Sequence, residues 1–178
     1  LTFSALLEVD RDGRRYRASF AKSVIRSQAR MTYNKVNRIL AGDAALREEY
    51  AFLVPTAEKM NGLAHALYQR RIERGALELD IPEAQITVDE TGNPVDICFR
   101  ERGESEKLIE EFMLQANEAV AEFMCKRGQP TVYRVHENPD PEKLRIFAKQ
   151  ARLFGYRLSD KDLADTHQLQ RVLDQTAD

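Results

Sequence analysis

Cysteine is scarce in this sequence, long apolar runs are missing, and the charges almost cancel to a formal net charge of −2 over 178 residues. Cys98 and Cys125 are too few for a disulfide framework and do not form a pair with metal-ligand spacing, which predicts buried thiols in a reducing cytoplasm. No apolar run approaches the ~20 residues that cross a membrane, and no signal-peptide pattern opens the chain, so we expect no membrane association. The near-neutral charge argues against a broad electrostatic surface for nucleic acid. Any such site has to be local, or shared with segments outside the chain.

Catalytic and metal-binding signatures are also missing. The sequence has neither a Gly-x-Ser-x-Gly nucleophile motif nor a Gly-rich phosphate loop, and its three histidines lie far apart without an HExxH pattern. Asp10 and Asp12 belong to an Asp-Arg-Asp-Gly segment, which is far more often a solvated turn than a metal site. Glu110 and Glu111 are adjacent in a predicted helix, so their carboxylates diverge by about 100° and do not form one acid–base pair. The residues themselves therefore predict no catalytic and no metal site.

Period-two alternation of apolar residues predicts two β-hairpins. Asp12-Gly13 supplies the turn of the first hairpin, and Thr91-Gly92-Asn93 supplies the turn of the second. The predicted strands are about 2–9 and 16–25 in the first hairpin, about 86–88 and 95–99 in the second, and two short single strands at 76–79 and 131–135.

Apolar residues at helical spacing, ended by glycine or opened by proline, predict several amphipathic helices. The segment 104–126 is the clearest, because a broad apolar stripe runs along it. Asn117 falls within that stripe, which predicts a buried amide that holds neighbouring backbone rather than a ligand. The pattern indicates an α+β fold, with two hairpins and a short strand packed against the helices, in one domain truncated at both ends. The other predicted helices begin near Tyr33, Ala45, Pro55, Pro141 and Asp160, the last running to Leu173.

A run of basic residues without an intervening acidic residue surrounds Tyr33. Basic side chains beside an aromatic ring suit a single-stranded nucleic-acid backbone with stacked bases. Solvated charges at a strand end and on a helix are the commoner explanation, and on composition alone we prefer it. The run consists of Arg26, Arg30, Lys35 and Arg38.

Four segments, in order, resemble motifs of the ribonuclease II / ribonuclease R (RNB) family. They are SVIRSQARMTYNKV at 23–36, RRIERGALELDIPEAQI at 70–86, KLIEEFMLQANEAVA at 107–121 and YRVHENPDPEKL at 133–144. Together they span positions 23–144 of the 178-residue chain. The chain, residues 1–178, therefore resembles a partial RNB catalytic domain.

The resemblance implies a processive 3′-to-5′ exoribonuclease that hydrolyses single-stranded RNA to nucleoside 5′-monophosphates in the bacterial cytoplasm. The family's magnesium-binding aspartates lie upstream of this segment, and its arginine near the scissile phosphate lies downstream. Neither motif occurs here, so we expect the piece alone to bind no cofactor and to be inactive. Cold-shock and S1-type RNA-binding domains are expected to flank it in the parent. An RNB-like protein that binds RNA or another partner without cutting remains the alternative.

The resemblance also implies which residues contact RNA. Tyr33 and Glu110 match family positions at the terminal ribose, where a carboxylate accepts a hydrogen bond from the 2′-hydroxyl that DNA lacks. Arg30, in the basic run before Tyr33, completes this candidate RNA-binding wall. Leu79 aligns near a position where relatives often carry a base-clamping aromatic; leucine offers apolar contact there but no stacking face.

Overall fold

The computed structural model describes residues 1–79, 83–100, 102–135 and 137–176, and within these ranges it contains seven α-helices and two two-stranded antiparallel sheets. This architecture confirms the predicted α+β class. His136 lies outside the described residues. In chain order the elements are β1 (Thr2–Val9), β2 (Arg15–Ser23), α1 (Tyr33–Leu40), α2 (Ala44–Glu49), α3 (Val54–Glu73), β3 (Glu83–Val88), β4 (Pro94–Arg100), α4 (Glu104–Lys126), α5 (Pro141–Leu153), α6 (Asp160–Leu163) and α7 (Thr166–Thr176).

The chain divides into two compact units, of which the first comprises Leu1–Arg70 and Ile81–Pro130. Its first hairpin pairs β1 with β2, and the Asp10 carboxylate supports the turn by accepting from the backbone N–H groups of Asp12 and Arg14 at 3.0 and 2.7 Å. Gly13 has a φ of 76° and lies against the backbone of Ala66, so a side chain there would be excluded on both counts. The predicted Asp-Arg-Asp-Gly turn is confirmed.

Helices α1 to α3 enclose a small apolar core in this unit. Thr32 and Asp43 cap α1 and α2, each accepting a backbone N–H of the first turn through its side chain. Pro55 is the second residue of α3, where its missing N–H leaves no helical bond unmade. The buried core residues are Ile39, Leu46 and Val54.

The second hairpin has one apolar and one polar face. Ile86 lies directly opposite Ile97 in the β3–β4 register, and both side chains are exposed, as is that of Phe99. Cys98 lies on the other face, beside Gln85, and is exposed, as is Cys125 in the last turn of α4. The prediction of buried thiols was therefore wrong: neither side chain lies on a covered face in the described structure.

Helix α4 has the predicted bounds, but its buried face is narrower than the predicted stripe and is rotated from it. The buried residues are Ser105, Leu108, Glu111 and Ala119. Asn117 is exposed, so the prediction of a buried amide was wrong. Nine residues at about 100° each separate it from Leu108, which places the two on opposite sides of the helix.

The second unit comprises Arg71–Asp80 and Thr131–Asp178 and contains α5, α6 and α7. The predicted terminal helix is divided in two, because α6 ends at Leu163 and the Asp165 carboxylate caps α7 by accepting from the His167 N–H at 2.9 Å. Within the described residues, no helix has the length and apolar character to cross a membrane.

The prediction of two single strands, at 76–79 and 131–135, was wrong, because the chain forms no strand at either position. At 76–79 the Gln170 side chain takes the place of a partner strand: its oxygen accepts from the Glu78 N–H at 2.7 Å, and its nitrogen donates to the Glu78 carbonyl at 3.3 Å. Residues 131–135 are exposed throughout, with Val132 at 96%. Alternating apolar residues do not form a strand without a second strand to pair with.

Candidate nucleic-acid interface

A cleft of about 640 Å³ opens in the first unit where α1, the segment before it, α3 and the start of α4 converge. Its floor is apolar, with buried Ile39 and Leu108, whereas Tyr33 at its margin is 42% exposed. An apolar floor with a few polar groups at the rim is the usual form of a ligand site. The lining residues are Arg30, Met31, Thr32, Tyr33, Val36, Ile39, Leu53, Thr56, Ala57, Met60, Ser105, Leu108 and Ile109.

The backbone of Tyr33 is fixed in position by the start of α1 and by a hydrogen bond to α4. It is the first residue of α1, which begins there because the Thr32 hydroxyl accepts from the Lys35 N–H at 3.3 Å. The Tyr33 carbonyl accepts from the hydroxyl of Ser105 on α4 at 3.1 Å, and Ser105 is only 2% exposed. The aromatic side chain therefore projects from a backbone that is fixed to the start of α4.

A second set of hydrogen bonds joins α1 to the same turn of α4. The side-chain amide of Asn37 accepts from the Ser105 N–H at 2.8 Å and donates to the Glu106 carboxylate at 3.0 Å. Gly103, the residue before α4, lies so close to Asn37 that a Cβ there would collide with its side chain. Burial alone would raise the pKa of the Glu106 carboxyl, but the bonds from Asn37, the backbone and Ser105 hold it below its usual value. Sequence patterns gave no signal for this network.

Glu110 follows the cleft-lining Ile109 on α4. Its carboxylate is about half exposed and pairs with the guanidinium of Arg102. Since about half of the Glu110 side chain remains open to solvent and a carboxylate has several acceptor sites, a ligand hydroxyl can donate to it while the ion pair persists. The structure thus brings Arg30, Tyr33 and the Ile109 side of α4 to one cleft, with Glu110 the next residue along.

Some side chains of the basic run are paired within the fold, and others are open to a ligand. Lys35 donates to the Tyr50 hydroxyl at 2.5 Å, a bond that raises the pKa of Lys35, and its ammonium lies 4.8 Å from the ring centroid. Arg38 pairs with Asp43 at 2.6 Å. Arg30 is exposed, lines the cleft and forms no ion pair within the described residues. Only part of the run is therefore available to a ligand.

Leu79 belongs to the second unit. It lies in the extended segment after α3, is 52% exposed, and follows Glu78, whose backbone is held by Gln170. Its side chain offers an apolar surface beside a fixed backbone.

A smaller cleft of about 350 Å³ between α3 and α4 was not predicted from the sequence. There His65 Nε2 lies 2.6 Å from the Glu104 carboxylate, and this hydrogen bond lowers the pKa of Glu104. Glu111 also lines it and is 3% exposed, although the sequence pattern placed it off the buried face. The seven-residue spacing of Glu104 and Glu111 was the available signal. Across the described ranges, no three His, Cys, Asp or Glu side chains are grouped to hold a metal ion.

The sequence matches known proteins along its full length. Residues 1–178 match the family profile of the RNB domain. Ribonuclease R of Thermotoga maritima is 40% identical over 181 residues, which cover 100% of this chain and 25% of that protein. Ribonuclease R 1 of Lactococcus lactis is 40% identical over 158 residues, which cover 89% of this chain and 19% of that protein. The chain thus spans a quarter or less of the length of these curated relatives.

The fold is similar to solved structures of RNase R from Mycoplasma genitalium. The apo form matches with a TM-score of 0.87 at 26% sequence identity, covering 99% of this chain and 28% of that one. The same protein in complex with ribose methylated single-stranded RNA matches with a TM-score of 0.86 at 25% identity, again covering 99% and 28%.

Proposed function

This chain belongs to the RNB domain family, and we propose that it forms part of a 3′-to-5′ exoribonuclease whose substrate is single-stranded RNA. The observation that carries the proposal is the cleft at the junction of α1 and α4, which Arg30, Tyr33 and Ile109 line and next to which Glu110 follows in sequence. A related protein that has been solved with single-stranded RNA supports the substrate class.

In this proposal the cleft and its margin hold the 3′-terminal nucleotides. Tyr33 packs against the terminal ribose, and Glu110 accepts a hydrogen bond from its 2′-hydroxyl. The apolar floor suits a ring edge or ribose carbons, and the exposed guanidinium of Arg30 suits a backbone phosphate. Leu79 offers a base apolar contact only, because leucine has no flat face on which the base could stack.

Phosphodiester hydrolysis is proposed to be processive and to release nucleoside 5′-monophosphates. Magnesium, when bound, supplies an activated water and neutralises charge that develops on the phosphate. The described residues do not fit such an ion, since no three of their His, Cys, Asp or Glu side chains are grouped to hold a metal. We therefore assign magnesium to acidic residues outside this chain, and to this chain the binding and orientation of the RNA end.

The proposed setting is the cytoplasm, in a longer protein in which cold-shock and S1-type RNA-binding domains flank the RNB domain. Such domains would supply the basic surface that a net charge of −2 does not provide here.

The test compares RNA and DNA degradation by the full-length protein that contains this chain. Glu110→Ala and Tyr33→Ala are each made, with Glu48→Ala as a matched control, because Glu48 is an exposed glutamate on α2 that does not line the cleft. A hydroxyl-to-carboxylate hydrogen bond is worth roughly 1.5–3 kcal/mol, so its loss should reduce discrimination against DNA about ten- to a hundredfold.

The outcomes test the roles of the two residues and the exonuclease activity separately. If both site variants reject DNA as strongly as the control, these residues do not recognise the sugar. If the unaltered full-length protein binds RNA but never shortens it in magnesium, the non-catalytic RNB-like alternative replaces the exonuclease.

A further inference from the structure

The second unit contains a segment whose charges all have one sign. From Lys143 to Ser159 the sequence carries five basic residues and no acidic residue, although the chain as a whole has more acidic than basic side chains. The basic residues are Lys143, Arg145, Lys149, Arg152 and Arg157. The segment covers most of α5 and the turn that follows it.

Helix α5 directs three of these cations to one side. Leu144, Phe147 and Ala151 are buried or half-buried and define its inner face. Arg145, Lys149 and Arg152 follow each other at intervals of four and three residues, are exposed, and therefore share the outer face. With Arg157 they form what we call the basic strip.

The charge of the basic strip is not compensated within the described residues. None of its four side chains takes part in an ion pair or a side-chain hydrogen bond there, in contrast to the paired Arg15, Arg38 and Arg47 of the first unit. Of the carboxylates that flank the segment, Asp140 and Asp162 form capping hydrogen bonds. Asp140 accepts from the Glu142 N–H at 2.8 Å, and Asp162 accepts from the N–H and hydroxyl of Ser159 at 2.7 and 2.6 Å.

Two arginines of the basic strip lie at one cleft. Arg152, Gly155 and Arg157 line a common cleft of about 460 Å³ at the turn after α5, and a Cβ at Gly155 would meet open space. Planar guanidinium groups that share a cleft suit phosphate oxygens, which they bind in pairs. Phe154, within the same turn, is 78% exposed and offers an aromatic face of the kind on which bases stack.

We propose that the basic strip binds the sugar–phosphate backbone of single-stranded RNA, with a phosphate between Arg152 and Arg157 and a base on Phe154. The inference rests on the proposed function and adds an RNA contact in the second unit that is separate from the cleft at Tyr33. Guanidinium groups without ion-pair partners beside an exposed aromatic ring favour RNA over an acidic protein surface. RNA supplies both phosphates for the arginines and bases that stack on the ring, whereas an acidic protein surface supplies only the charge.

The experiment measures RNA affinity of the full-length protein with a labelled single-stranded RNA, in a chelator that withholds magnesium, from about 50 to 200 mM salt. Arg152→Gln/Arg157→Gln removes both cations from the one proposed phosphate and should lower the slope of log affinity against log salt by about 0.7. Its affinity deficit should then be about 2.6-fold larger at the low than at the high salt concentration. Lys161→Gln/Arg171→Gln removes two exposed charges elsewhere in the second unit and is the control.

Two further variants test the charges and the aromatic ring separately, and the first of them also controls for misfolding. Arg152→Lys/Arg157→Lys keeps both charges and should keep the slope, whereas Phe154→Ala should weaken binding about tenfold without changing the slope. If the unaltered protein binds RNA and the glutamine variant has the same slope as the control, the basic strip does not bind RNA. If the unaltered protein binds no RNA at all, the proposed function fails, and this inference fails with it.

Discussion

Replacing Asn37 with alanine is expected to loosen the junction on which the position of Tyr33 depends. The substitution removes the acceptor of the Ser105 N–H and one donor to the Glu106 carboxylate. Ser105 is 2% exposed, so solvent does not readily replace the lost acceptor. The first turn of α4 should therefore open more often, and the backbone bond from Ser105 to Tyr33 should open with it.

The size of the effect follows from the two hydrogen bonds. A buried donor left without a partner costs about 1–3 kcal/mol, which corresponds to a roughly 5- to 150-fold larger open population. The lost donor to Glu106 adds to this cost, because that carboxylate is partly desolvated. Alanine has a higher helix propensity than asparagine, which offsets a few tenths of a kcal/mol.

Hydrogen exchange of the full-length protein measures this opening at the amides of the first turn of α4. The matched control is Asn34→Ala, since Asn34 lies on the same helix, is exposed, and has no side-chain hydrogen bond in the described structure. Both variants gain the same helix propensity, so their difference isolates the contact with α4. Equal exchange rates at Ser105 in the two variants would refute the role assigned to Asn37.

The remaining predictions concern pH and activity. Hydrogen bonds from the Thr91 hydroxyl, the Asn93 N–H and the Thr91 N–H lower the pKa of Asp89 from 3.8 to about 2, so the turn of the second hairpin should keep this support above pH ~4 and lose it as pH falls through about 2. Exchange of the Thr91 and Asn93 amides reports it, and Asp89→Asn should abolish the pH dependence. The 178-residue chain by itself should not shorten single-stranded RNA in magnesium; release of mononucleotides by a pure sample would show that its own residues suffice for catalysis.

Local patterns predicted most of the elements because local chemistry determines them. The Asp-Arg-Asp-Gly turn, the Pro55 start and the bounds of α4 depend on residues within a few positions of one another. The two single strands were wrong because a strand depends on a partner, and Gln170 takes that place beside Glu78. Asn117 and Glu111 were misplaced because an apolar stripe indicates that a helix is amphipathic but does not fix which part of the stripe contacts the core.

The candidate site was less accessible to sequence reasoning. Glu110 came from the family resemblance alone, since no local pattern marks it as a ligand contact. The basic run around Tyr33 was compatible with RNA binding but was better explained by solvated charges, so the assignment of Tyr33 also came from the resemblance. The bonds between Asn37 and the start of α4 join residues nearly seventy positions apart, and no periodicity encodes such a pair. The sequence also contains the basic strip as a segment whose charges all have one sign. Only the structure shows that three of its cations lie on the outer face of α5 and that none of its side chains forms an ion pair within the described residues.

The close approach of Gly103 to Asn37 has an evolutionary consequence. Any side chain at position 103 would occupy the space of the Asn37 amide, and any loss of that amide would leave the Ser105 N–H without its acceptor. The two positions are therefore not free to vary independently. Among related sequences we expect them to change together, with glycine retained at 103 wherever asparagine is retained at 37, although neither residue needs to touch the RNA.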